Sequence, residues 1–120
     1  MDEKIREALR EAYVGEAKAA LRLSMFADKA EQEGYPQIAR LFRVIAFSEE
    51  IHGKRELRVL KEIKTTEENL AESFESEKTV AEIAYDRFVK MAEQAGDKQA
   101  LLHFSQSRDV EETHAKLYKQ

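Results

Sequence analysis

The chain has 120 residues, of which 42% are apolar and 37% charged, with a net charge of −4 and no cysteine. This length and apolar share suit one small domain with a core, and the missing cysteine excludes disulfides, zinc–thiolate sites and iron–sulfur clusters within this sequence. The acidic balance lacks the basic footprint of a nucleic-acid binder, and the sequence shows neither a signal peptide nor an apolar run of about 18 residues. We therefore expect a cytoplasmic protein with no nucleic-acid or membrane partner.

Apolar residues recur every three or four positions between a few Gly and Pro breakers, which is the period of an α-helix. Pro36 suits a first helical turn, and Thr65 with Glu68 matches the capping-box pattern. Gly96 followed by Asp97 is typical of a helix end and the cap of the next helix. We therefore predict an all-α fold with helices at residues 3–33, 36–62, 66–95 and 97–119.

The two halves of the chain repeat each other. Residues 48–52 read SEEIH and residues 110–114 read VEETH. The offset between matching positions is 61 in the first helix of each half and 62 in the second, which indicates a one-residue change near the hairpin turn. The repeat predicts two helical hairpins in a single domain. We place the domain at 1–120, the first hairpin at 1–62, the connector at 63–66 and the second hairpin at 67–120.

Polar residues interrupt the middle of each apolar row. Glu16 interrupts the apolar row of the first helix and Glu77 that of the third. The second and fourth helices each contain a Glu-x-x-His pair whose members share one helix face. At 1.5 Å per residue, the single Glu and the pair of each hairpin lie at similar heights above the turn. The candidate ligands that should converge at mid-bundle are Glu16, Glu49, His52, Glu77, Glu111 and His114.

Four buried carboxylates are too costly unless cations neutralise them. One Glu from each of two helices plus a Glu-x-x-His from each of the other two is the donor set of di-iron and di-manganese sites in ferritin-like bundles. Zinc prefers fewer and softer ligands, so the pattern favours two iron ions, with manganese as the alternative. A single Glu-x-x-His is ordinary on a solvated helix face, and only the joint pattern points to metal. His103 has no Glu three residues before it and is interpreted as structural.

Several longer segments carry a family resemblance: KAEQEGYP at 29–36, IARLFR at 38–43, EEIH at 49–52 and EETHAKLY at 111–118. Over nearly its whole length the chain resembles the rubrerythrin family of ferritin-like di-iron proteins. The resemblance implies a ferritin-like antiparallel four-helix bundle in which the six candidates bind two iron ions, with Glu49 and Glu111 bridging. It also implies a centre that reacts with peroxide or dioxygen, a catalytic role for Tyr85, and an external electron donor such as a rubredoxin.

The sequence departs from that family in three respects. Val80 stands where rubrerythrins have a seventh carboxylate, and Ala19 at the symmetric position is not acidic either. Leu23 replaces a second tyrosine that is frequent in the family. The third departure is the missing four-cysteine iron site of a rubredoxin-like domain, so we expect the electron donor to be a separate protein. Because the seventh carboxylate is missing, we expect the site to have the plain six-ligand set.

Three functional hypotheses follow. The first is a di-iron oxidoreductase that reduces hydrogen peroxide or dioxygen in oxidative-stress defence. The alternative is a ferroxidase-like protein that binds and handles iron without catalytic turnover. The third, a metal-free helical interaction module, is disfavoured because it would line a core with unneutralised ligands.

The short connector bears on assembly. In a ferritin-like bundle the second and third helices run parallel, so the chain must return about 30 Å, whereas the three to five free residues span about 10–18 Å. We therefore expect a homodimer with the hairpins exchanged between chains, in which both chains contribute to each of two di-metal sites.

Overall fold

A computed structural model describes residues 1–119, which are almost wholly helical and include no β-strand. The helices are α1 (Glu3–Gln32), α2 (Pro36–Val59), α3 (Thr66–Thr79), α4 (Asp86–Ala95) and α5 (Lys98–Lys119), and a π-helical segment, Val80–Tyr85, joins α3 to α4. The predicted all-α fold is confirmed, with α3, the π-helical segment and α4 forming the third of the four predicted helices. Within the described residues, no helix is long and apolar enough to cross a membrane.

The ends of the helices follow the sequence signals. The Thr65 hydroxyl accepts a hydrogen bond from the N–H of Glu68 at 3.2 Å, and the Asp97 carboxylate starts α5 in the same manner. Gly34 and Gly96 have φ angles of +86° and +69° after α1 and α4, a conformation that glycine adopts without a steric penalty. Each glycine therefore lets the chain reverse into an antiparallel hairpin.

Two compact units divide the chain, one formed by residues 1–63 and the other beginning at Lys64. In the first hairpin, α1 and α2 meet through the buried side chains of Ala27, Ala30 and Ala39, with Phe42 packed against them. Because the side chains at the contact set the distance between two helices, these alanines allow α1 and α2 to approach closely. The close approach brings polar side chains of the two helices within reach of each other at mid-hairpin.

The second hairpin repeats the aromatic packing of the first. Phe26 and Phe42 make an edge contact with their ring centroids 5.8 Å apart, and Phe88 and Phe104, 62 residues further on, lie 5.3 Å apart. The second hairpin adds Tyr85, whose ring is 5.6 Å from Phe88 and 6.3 Å from Phe104. The repeat is therefore visible in the packing as well as in the sequence.

The π-helical segment accounts for the difference in offset between the two halves. Gly34 follows Glu16 by 18 residues, whereas Gly96 follows Glu77 by 19. We expected the extra residue near the hairpin turn, but the structure accommodates it earlier, in the π-helix Val80–Tyr85. A π-helical turn takes one more residue than an α-helical turn. The flanking helices thus keep their facing positions despite the insertion.

The end of α2 lies three residues before the predicted residue 62. Lys61 adopts a left-handed φ of 58°, and the N–H of Glu62 donates to the carbonyl of Leu57 at 3.2 Å, which is a Schellman helix end. Arg10 of α1 pairs with the Glu62 carboxylate at 3.4 Å. The chain is therefore fixed to the first hairpin as far as Glu62, and only residues 63–65 connect it to α3.

Deleting Ile83 from the π-helical segment should leave the second hairpin folded, because the shortened segment can close as α-helix with both flanks in place. Leu21 of α1 is the matched control, since Ile83 and Leu21 are exposed to 67% and 68%. Deleting Leu21 rotates the rest of α1 by about 100° and displaces its buried alanines. We expect the Tm to change by about 3 °C or less without Ile83 and to fall by about 10 °C or more without Leu21. Equal losses would contradict this account of the segment.

Candidate metal centre

The first hairpin brings Glu16 of α1 together with Glu49 and His52 of α2. Each offers one ligand atom, and these atoms all lie within 4.8 Å of one another. Glu49 and His52 share one face of α2 because they are three residues apart, and that face lies against α1. His52 Nδ1 is 3.3 Å from Glu16 Oε2. We call this trio the first half-site.

The second hairpin forms the same arrangement from Glu77 of α3 and Glu111 and His114 of α5. Their ligand atoms also lie within 4.8 Å of one another, and His114 Nδ1 is 3.5 Å from Glu77 Oε2. We call this trio the second half-site. All six predicted ligands are thus found in two matching trios, each within its own hairpin.

In each half-site, the glutamate that comes from the first helix of the hairpin has a buried carboxylate oxygen that accepts no hydrogen bond. Oε2 of Glu16 and Oε2 of Glu77 are buried and form no hydrogen bond, and their side chains are only 20% and 23% exposed. A buried carboxylate oxygen without a partner carries a desolvation penalty. A divalent cation would remove that penalty. Two carboxylates and one imidazole per half-site suit iron or manganese, so the donors present fit the metal that the sequence predicts.

The electrostatics of the first half-site also favour a cation. Burial raises the pKa of Glu16 above its ordinary value, and the negative charges of Glu56 and Glu49 raise it further, while His52 offsets part of the rise. The raised pKa means that the ionised carboxylate is unfavourable in the metal-free protein. A positive charge bound beside it would stabilise the ionised form.

Two residues that neighbour the first half-site on α2 were not predicted from the sequence. Gly53 is buried on α2, and a Cβ atom there would lie 3.7 Å from Cβ of Glu16, so the glutamate passes directly over it. Glu56 has a buried Oε2 without a hydrogen-bond partner. The signal was present in the spacing, because Glu49, His52 and Glu56 stand at positions i, i+3 and i+7, which share a helix face.

Other residues singled out in the sequence lie outside the two trios. Tyr85 packs in the aromatic cluster with Phe88 and Phe104, and its catalytic role remains a prediction. Val80 begins the π-helical segment and places no acid beside the second half-site. The ring of His103 lies 5.5 Å from that of Phe104, in keeping with a structural residue.

Comparison with known proteins gives a consistent picture. The sequence matches the rubrerythrin family over residues 7–120. It is 33% identical to Rubrerythrin-2 of Clostridium acetobutylicum, covering 92% of this chain and 68% of that protein. It is 32% identical to a rubrerythrin of Porphyromonas gingivalis, covering 96% of this chain and 64% of that protein. It is 29% identical to nigerythrin of Nitratidesulfovibrio vulgaris, covering 93% of this chain and 62% of that protein. The chain thus spans roughly two thirds of the length of these relatives.

The substitution Glu16→Gln should stabilise the metal-free protein at pH 7. The pKa of Glu16 is raised in the folded state, so its ionised form destabilises folding above that pKa, and the penalty is relieved as the pH falls through it. The gain in Tm over the parent should therefore shrink as the pH is lowered from 7 towards the ordinary pKa of a glutamate. The exposed Glu50→Gln is the control and should show no such trend. A variant less stable than the parent at pH 7 would contradict this view of Glu16.

Proposed function

Since the chain belongs to the rubrerythrin family, we propose that it is a non-haem di-iron oxidoreductase that reduces hydrogen peroxide or dioxygen with electrons from an external donor. The observation that supports the proposal most strongly is the pair of matching half-sites, each with a buried carboxylate oxygen that accepts no hydrogen bond. Family membership supports a di-iron protein of oxidative-stress defence in general. The choice of oxidant and the donor, such as a rubredoxin, belong to the proposal.

The two half-sites together would form one di-metal centre. Four carboxylates balance the charge of two divalent cations, so the centre would be neutral in its reduced state. Glu16, Glu49 and His52 would hold the ions from the first hairpin, and Glu77, Glu111 and His114 would hold them from the second. Two ferrous ions would supply the two electrons that, with two protons, cleave the O–O bond of peroxide to give water.

The protein itself would set the position and surroundings of the ions. Each imidazole extends across the hairpin towards the single glutamate, at the His–Glu distances given above. Both histidine side chains are about half exposed, at 47% and 46%, whereas the glutamates facing them are mostly covered. The carboxylates would thus form the dry side of each half-site.

The alternative of iron handling without turnover is not favoured by the comparisons, whose relatives are rubrerythrins and a nigerythrin. The two functions differ in how much iron a chain would accept. A catalytic centre takes two ions per chain and stops, whereas a storage function would load more.

Anaerobic protein loaded with two ferrous ions should oxidise faster than free ferrous iron when mixed in stopped flow with peroxide or, separately, with dioxygen. Glu49→Gln removes a candidate ligand carboxylate and should slow this oxidation by about 100-fold. Glu50→Gln removes a charge from the adjacent, exposed position and should leave the rate unchanged. Oxidation no faster than that of free iron with both oxidants would refute the proposal, and loading beyond two ions would favour iron handling.

For the assembly, we propose a homodimer in which hairpins are exchanged. In the ferritin-like arrangement, α2 runs on for about 15 Å after Glu49 and α3 runs for about 16 Å before Glu77, a return of about 30 Å. Glu62 is fixed to the first hairpin, so the extended chain from there to Thr66 reaches only about 14 Å. Exchange between two chains removes the need for that return.

Apolar side chains support a dimer as well. In the single chain, several large apolar residues of α1 and α2 remain exposed, among them Phe26, Ile38, Leu41, Ile45 and Ile51. Exposed apolar groups of this number favour burial against another helix surface. A second copy of the chain is the occupant that would also complete the half-sites.

Complementation distinguishes exchange from a site formed within one chain. Glu49→Ala damages the first hairpin and Glu111→Ala the second, so neither homodimer has an intact centre. In an exchanged heterodimer of the two variants, one centre collects both lesions and the other collects none. Heterodimers purified with two different tags should therefore bind about half the iron of the parent dimer. A heterodimer without any intact centre, or a monomer in sedimentation equilibrium, would refute exchange.

A further inference from the structure

Three carboxylate oxygens among the described side chains are buried without a hydrogen-bond partner: those of Glu16, Glu77 and Glu56. The first two belong to the half-sites, where a cation would satisfy them. Resting on the proposed function, we propose that Glu56 is a further metal-ligating carboxylate of the first half-site, which therefore binds its cation more tightly than the second half-site does.

The position of Glu56 on α2 supports this role. It lies one turn after His52 and two turns after Glu49, on the same face of the helix. Gly53 lies between them on that face and is buried beside Glu16. Because Gly53 has no side chain, nothing from that position separates Glu56 from Glu16.

The Glu56 carboxylate has a buried Oε2 that accepts no hydrogen bond, and no ion pair of the described side chains involves it. Lys54, the lysine nearest along the helix, is engaged elsewhere, with its Nζ 3.0 Å from Glu50. Glu56 thus adds negative charge to the first half-site, and its buried oxygen is available to a cation.

The sequence repeat shows that this carboxylate is special to the first half-site. The offset of 62 that relates His52 to His114 makes Tyr118 the residue that corresponds to Glu56 in the second hairpin, and Tyr118 is exposed. The first half-site would thus have three carboxylates and one imidazole, and the second two carboxylates and one imidazole. Glu56 would raise the number of carboxylates in the two half-sites from four to five. Its position differs from those of Val80 and Ala19, neither of which is acidic.

Anaerobic titration with Co²⁺, followed by visible absorption, tests the inference on the full-length protein. The parent should bind two ions in two steps of unequal affinity. Glu56→Gln should weaken the tighter step about 10- to 100-fold and bring the two affinities together. Glu50→Gln, which removes the same charge from an exposed position on the same helix, should titrate like the parent. Unchanged affinities in Glu56→Gln would overturn the inference.

Thermal unfolding of the metal-free protein separates a ligand from a structural residue. If the Glu56 oxygen is held for a cation, Glu56→Leu replaces an unpartnered buried charge by an apolar group, and the Tm without metal should rise while Co²⁺ affinity falls. A lower Tm, or failure of both variants to fold, would show that Glu56 serves the fold and would overturn the inference. If the parent itself binds no Co²⁺, the proposed function fails as well, and that result is distinct from a failure of Glu56 alone.

Discussion

The burial of carboxylate oxygens that accept no hydrogen bond is the constraint on which the rest of the molecule depends. A carboxylate loses its hydration on burial and must recover it from a hydrogen bond or a cation. The half-sites give Oε2 of Glu16 and of Glu77 neither a backbone N–H nor an Arg or Lys. These two carboxylates therefore destabilise the metal-free protein, and the same arrangement suits a doubly charged cation.

The packing of the hairpins makes that burial achievable. Helices separated by large side chains would leave room for water around the glutamates, whereas the alanines between α1 and α2 bring the two backbones close. Gly53 extends the same principle to the half-site, where Glu16 passes over a position without a side chain. The small residues of the interface thus allow a glutamate carboxylate to lie between two closely packed helices.

Much of this could be predicted from the sequence, because helical period, caps and interrupted apolar rows are local signals. Glu16 and Glu77 were identified as acids in otherwise apolar rows, and the structure places each beside a Glu-x-x-His pair. Glu56 was missed because acids are plentiful on α2 and nothing in the sequence marks the burial of its Oε2. The end of α2 was misplaced because Lys61 adopts a conformation typical of glycine. The extra residue of the second half was detectable by counting, but its location in Val80–Tyr85 depends on local hydrogen bonding.

The near identity of the two half-sites has a consequence for the origin of the chain. In ferritin-like bundles, a hairpin with one glutamate on its first helix and a Glu-x-x-His on its second supplies half of a two-metal centre, and a second such hairpin supplies the other half. Duplication of an ancestral hairpin gene, followed by fusion, accounts for the repeat. The additional residue in the π-helical segment and the tyrosine that replaces Glu56 are then differences acquired after the copies became one polypeptide, when each was free to specialise.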